Sequence, residues 1–243
     1  MTGRIKWLLA SAMIAFAPPA LAATQNEEPP ARQTGAHGEA MPAAPASAAV
    51  ASAPATSSDV IAAAACVITR NASAADALFA TPPYSTAERE QAVRLLAEMR
   101  RCSHHPQMSS SAAMIRGGFA EAGVETSFAT PPSPRNPPLA AAPLARGTEG
   151  DAAFLAQIAP MYQLADCAIP RQPDLARAVL ATDAGSPAES AAITALNPTF
   201  IACVPAGSQI RIDRRIMRFL VAEALYRWSV VQRDGPASPW VAH

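Results

Sequence analysis

"CVITR" at residues 66–70 and "CAIPR" at residues 167–171 carry one pattern, Cys-x-Ile-x-Arg, 101 positions apart in a chain of 243 residues with four cysteines. A repeat changes the reading of a whole fold, because each unit has to be understood together with its copy. This one extends well beyond the pentapeptide. At the same offset Ala80-Thr81 aligns with Ala181-Thr182, Ser85 with Ser186, Ala87-Glu88 with Ala188-Glu189, Leu95 with Leu196 and Cys102 with Cys203. Twelve of the 37 positions from the first cysteine to the second are identical. After one inserted residue the register resumes at an offset of 102, aligning Arg116 with Arg218 and "AEA" at 120–122 with "AEA" at 222–224. Shared cysteines and charges of this order identify a tandem duplication. The chain is therefore expected to be all-α, built from two duplicated helical modules of about four short helices each.

The local signals agree between the copies. "DVIAAAACVITR" (59–70) predicts a first helix with Asp59 as its N-cap, and "SAADALFAT" (73–81) a second capped by Ser73 or Asn71. "STAE" (85–88) is a capping box: Ser85 accepts from the third helical amide while Glu88 reaches back to the Ser85 amide. The second copy writes "SPAE" (186–189), keeping Ser186 and Glu189 and placing Pro187 where a missing N–H costs nothing. In copy one the third helix runs to the second cysteine, with Ala92, Leu95, Met99 and Cys102 on one stripe. In copy two "NP" at 197–198 predicts a break, Pro198 starting a new turn that carries Phe200 and Cys203. "GSQIRID" (207–213) reads as a brief extended segment. The last helix opens at Asp213 and lines up Ile216, Phe219, Leu220, Ala224 and Trp228 as its core face.

Composition narrows the function. Half of the residues are apolar, but alanine dominates that half, so the core is small-residue and helical. With 19 basic and 19 acidic side chains the chain has no net field to draw it to nucleic acid, and none is expected as a partner. Residues 1–22 read as a signal peptide, with Arg4 and Lys6 before the apolar "WLLASAMIAFA" (7–17) and a small-x-small site "ALA" (20–22). That apolar run falls short of the ~20 residues a spanning helix needs. Export to the periplasm or beyond is expected, with cleavage near Ala22 and no transmembrane segment in the mature chain. Residues 23–58, rich in Ala, Pro and Ser, read as a disordered tether; 59–128 as module 1; 129–150 as a Pro-rich linker; 151–233 as module 2; 234–243 as a disordered tail.

An exported chain meets an oxidising compartment, and its four cysteines allow three pairings. Duplication selects one: each module carries its own pair, so Cys66 is expected to join Cys102, and Cys167 to join Cys203. No Cys-x-x-Cys spacing supports a redox role. "CSHH" (102–105) groups Cys102, His104 and His105, but the second copy has "CVPA" there, and no metal or other cofactor is expected. Glu121 and Glu223 recur near a buried stripe, where a lone carboxylate is costly. Pairing within each module, Arg70 with Glu121 and Arg171 with Glu223, would neutralise them. No histidine, serine or second carboxylate recurs beside these glutamates, and no phosphate loop or nucleophile elbow is present, so no catalytic residue is assigned.

Cys-x-Ile-x-Arg, "LAT" at 180–182, Ser-x-x-Glu, the second cysteine and "AEALYRW" at 222–228 together resemble exported, Ala-rich helical proteins of sphingomonad-type bacteria. The likeness covers residues 151–228 and, more weakly, the first copy, which ends "AEAGVE" (120–125). It implies export and a helical module, and brings no activity, substrate or site residue. The expected function is a non-catalytic envelope or periplasmic interaction module with a protein partner. Its surface would be the groove between modules or the last helix at Tyr226, Trp228 and Val231. The alternative is a small-molecule-binding protein or enzyme with its site between the modules.

Overall fold

The computed structural model describes residues 55–103, 105–134, 152–204 and 212–238. The signal peptide, most of the tether, His104, the linker after residue 134, most of "GSQIRID" and the last five residues lie outside them.

The described chain is all-α. Module 1 consists of α1 (Ser57–Arg70), α2 (Ser73–Phe79), α3 (Thr86–Cys102) and α4 (Ala112–Ser127). Module 2 repeats it with α5 (Ala152–Ala168), α6 (Pro173–Leu180), α7 (Pro187–Cys203) and α8 (Arg214–Asp234). A 3-10 turn, Ile169–Arg171, joins α5 to α6, and another, Gly235–Ala237, follows α8 within the stretch expected as tail.

Caps explain most of the boundaries. α1 starts earlier than expected, inside the tether: Thr56 is its N-cap, and Asp59 sits at the third helical position, completing a reciprocal capping box. Neither Ser73 nor Asn71 caps α2, whose N-cap Ala72 makes no side-chain bond. Ser85 and Ser186 cap α3 and α7 as expected, accepting from the amides of Glu88 and Glu189. The glutamates, however, reach one residue further back, to the amides of Tyr84 (2.6 Å) and Gly185 (2.9 Å). The Ser85 and Ser186 amides are already donated to the carbonyls of Pro82 and Asp183 in the preceding turn. α7 does not break at Pro198, which lies inside the helix. Pro198 and Thr194, whose carbonyl loses its partner, are both exposed, so water can take the orphaned acceptor.

α4 and α8 pack against each other at the centre, with α1 and α3 against α4, and α5 and α6 against α8. Both central helices are buried all round rather than on one stripe: Ile115–Val124 in α4 and Arg218–Gln232 in α8. Tyr226, Trp228 and Val231, expected as a partner surface, are core residues, whereas Ile216, expected in the core, is 44% exposed. The close crossing depends on glycine. A Cβ on Gly117 would lie 2.3 Å from the Phe219 ring, and one on Gly123 would lie 2.6 Å from Tyr226. Small residues on α4 thus make room for large ones on α8.

Cys66 bonds Cys102 and Cys167 bonds Cys203, each pair with Cα atoms 5.9 Å apart. Each bond fastens the first helix of a module to the end of its third. Closing such a loop restricts the unfolded chain by about 4 kcal/mol. Replacing Cys167 and Cys203 together with serine is expected to lower the unfolding free energy by about 2–4 kcal/mol in urea melts, with the helical circular dichroism of the folded state retained.

Candidate functional site

The interior where α4 meets α8 is charged. Arg116, in the second turn of α4, and Arg218, in the second turn of α8, are almost completely buried, as are Glu88, Glu121, Glu189 and Glu223. Each guanidinium bonds a glutamate of its own module and one of the other. Arg116 donates from Nε to Glu223 Oε1 (2.9 Å) and from Nη1 toward Glu88 Oε1 (3.4 Å). Arg218 donates from Nε to Glu121 Oε2 and from Nη1 to Glu189 Oε1, both 2.9 Å. Its Nη2 also donates to Glu121 Oε1, making that pair bidentate. The same terminal nitrogens also close the ends of the short second helices: Arg116 Nη1 donates to the Leu78 and Thr81 carbonyls, Arg218 Nη1 to that of Val179 and Arg218 Nη2 to that of Thr182. The Arg116 plane also lies over the Phe79 ring, 4.9 Å from its centroid.

The expected ion pairs are therefore corrected. Arg70 and Arg171 end their helical segments in solvent, and Glu121 and Glu223 pair instead with Arg218 and Arg116 of the opposite module. The signal was present in the repeat. Arg116 and Glu121 are five residues apart on one helix, as are Arg218 and Glu223. At 3.6 residues per turn that spacing puts the two side chains on different faces, so neither pair closes within its own helix.

Two cavities flank the α4–α8 crossing. The first, about 570 Å³, lies between the modules, walled by Tyr84, Met114, Phe154, Ile158, Tyr162 and Phe219. Tyr84 and Tyr162 meet edge to face, as do Tyr84 and Phe154. Beneath them the Tyr162 hydroxyl donates to Glu223 Oε2 at 3.1 Å. Burial, reinforced by Glu88 and Glu223, pushes the Tyr84 phenol up to about 12, and burial raises Tyr162 also. Both therefore remain neutral hydrogen-bonding groups across the neutral range. Burial also raises Glu88, outweighing the pull of Arg116.

Tyr84 itself has φ 63°, a left-handed backbone that a bulky side chain rarely adopts. Its counterpart in the second module is Gly185, at φ 81°. The fold requires this conformation in both turns, since the amide there caps the buried glutamate. Module 1 carries an aromatic ring where glycine would be unstrained, and that ring forms a cavity wall.

The second cavity, about 580 Å³, occupies the equivalent place after exchange of the modules, bounded by Gly185, Glu189, the first turn of α1 at Ser57 and Ser58, and Arg214, Arg215 and Arg218. Ala112 and Ala113 of the first cavity correspond in the repeat to Arg214 and Arg215 of the second. Met114, Asp213 and Arg215 line both cavities, which therefore adjoin across the tops of α4 and α8. His105 lies 3.3 Å from Asp59 and Cys102 is in its disulfide, and neither lines a cavity. No group of side chains arranged to hold a metal occurs among the described residues.

No protein-family model matches this chain, and neither a curated protein nor a solved structure matches it.

Removing one member of a buried pair strands its partner's charge. Arg218→Met is expected to cost about 3–5 kcal/mol in denaturant melts, and a double-mutant cycle on Arg116 and Glu223 to show strong coupling. Arg171→Ala should fall within about 0.5 kcal/mol of wild type and show no coupling to Glu223. Glu88 adds a pH dependence. Because its folded carboxyl holds its proton more tightly than the unfolded one, it contributes stability at low pH that is lost as pH rises from 4.5 through its elevated value. Glu88→Gln should flatten that decline relative to wild type in melts compared across pH.

Proposed function

We propose that this protein is a non-catalytic, exported binding protein that holds a small apolar molecule in the first inter-module cavity. The observation that carries the reading is the cavity together with its strained wall residue, Tyr84, set where the duplicated turn uses glycine. The volume falls in the range of small-molecule sites, and the walls are predominantly apolar and aromatic with a few polar groups beneath. Exposure points to the same place. Of the four large hydrophobic side chains that are exposed among the described residues, Phe154 and Ile216, each 44% exposed, line this cavity. The other two, Val93 (69%) and Ile201 (72%), are single residues on different helices, α3 and α7, which gives the protein-docking alternative less support than the cavity reading.

The chemistry of the floor favours binding over catalysis. Each oxygen of Glu88 and Glu223 already has a partner, both phenols are held neutral, and Ser111 and Asp213, which also line the space, serve as the caps of α4 and α8. Two disulfides and the absence of free cysteine among the described residues are in keeping with an oxidising compartment, which supports export.

The neutral fluorophore N-phenyl-1-naphthylamine is expected to bind saturably, one per chain, with blue-shifted emission. Tyr84→Gly should keep or raise the melting temperature, since it relieves about 1 kcal/mol of backbone strain, while weakening the fluorophore several-fold. Absence of saturable binding would sink the reading. So would a glycine variant that binds as tightly as wild type.

A further inference from the structure

We infer that the ligand is an amphipathic anion whose apolar body fills the first cavity and whose charged head lies in the second; the inference rests on the binding function proposed above. The two cavities are one site in the duplicated architecture, now differentiated. Where the first presents Ala112 and Ala113, the second presents Arg214 and Arg215, and where the first has Tyr84, the second has Gly185. Met114 and Arg215 stand at the shared edge, so a molecule seated against the aromatic wall of the first cavity can extend directly over the arginines of the second.

Charge decides which end goes where. In the first cavity the buried carboxylates of Glu88 and Glu223 are engaged by Arg116, the Tyr84 amide and the Tyr162 hydroxyl, and Arg89, which also lines it, donates to the Tyr84 carbonyl and the Thr86 hydroxyl, so the arginine left to a ligand there is the shared Arg215. In the second cavity Glu189 is satisfied by Arg218 and the Gly185 amide, Arg218 is further engaged by Glu121, and Asp213, which caps α8 by accepting from the Arg215 amide, sets one carboxylate beside the two remaining arginines. Arg214 and Arg215 remain, exposed at the cavity edge and without a salt bridge among the described residues. Ser57 and Ser58 line the opposite side. Two arginines in a cavity that serines also line suit a phosphate or carboxylate head, which accepts hydrogen bonds from guanidinium and hydroxyl groups alike. A cationic head would meet like charge, and an uncharged chain would leave this half of the site unused.

The test is calorimetric titration of the intact protein with decyl phosphate, decanol and decyltrimethylammonium, each below its aggregation threshold. Decyl phosphate is expected to bind at least tenfold more tightly than decanol, and the cation more weakly than either. In Arg214→Ala/Arg215→Ala the ratio of phosphate to alcohol affinity should collapse toward one, whereas Arg171→Ala, an exposed arginine remote from both cavities, should leave it tenfold. Equal affinities for decyl phosphate and decanol in wild type, tighter binding of the cation, or an unchanged ratio in the double variant would each overturn the inference. If N-phenyl-1-naphthylamine binds and decyl phosphate gains nothing over decanol, the head-group assignment alone has failed; if neither the fluorophore nor any of the three amphiphiles binds, the binding function has failed with it.

Discussion

The crossed ion pairs, Arg116 with Glu223 and Arg218 with Glu121, are the constraint on which the remaining structure depends. A buried charge is tolerable only when a partner and hydrogen bonds replace the water it has lost. Because each arginine finds its partner on the other copy, α4 and α8 must lie side by side in one register. The same guanidinium groups hold the ends of α2 and α6 and the capping glutamates of α3 and α7, so the pairing also positions the turns at Tyr84 and Gly185. The modules are consequently not beads on a linker. Each supplies the counter-charge that keeps the other's central helix buried.

Duplication sets up two equivalent sites, and divergence makes them different. Glycines at 117 and 123 on α4 face Phe219 and Tyr226 on α8, so the shared interface is small on one side and large on the other. The same break in symmetry puts an aromatic ring at Tyr84 against glycine at 185, and alanines at 112 and 113 against arginines at 214 and 215. One cavity is mainly apolar and aromatic and its twin carries Arg214 and Arg218 besides the shared Arg215, while the helix order around both is the same.

Much of the fold was legible along the chain. Caps, helix lengths and the cysteine pairing depend on residues within one copy, and the repetition of Ser85 as Ser186 and Cys66 as Cys167 doubled each signal. Where local reading failed, competition among nearby groups decided the result. Thr56 displaced Asp59 as the first cap, the turn carbonyls of Pro82 and Asp183 took the serine amides, and solvent exposure let α7 run through Pro198. The assignment of Arg70 and Arg171 to the glutamates failed for a larger reason. It sought the whole answer inside the module, whereas the close hydrogen-bonded partner of each glutamate comes from the other module, with Arg227 of the same helix standing 3.8 Å from Glu223 as a weaker neighbour.

The sequence by itself determined an all-α duplicated chain, its helix starts at Ser85 and Ser186 and its two disulfides, because these follow from spacing within a copy and from comparison between copies. Only the tertiary structure decided that the copies embrace, which arginine meets which glutamate, and that Tyr84 and Phe154, from different modules, share a cavity wall. Those outcomes depend on how one helix lies across another. The register of α4 on α8 is set by side-chain volumes and buried charge contributed jointly by segments about a hundred residues apart, and no local periodicity encodes it.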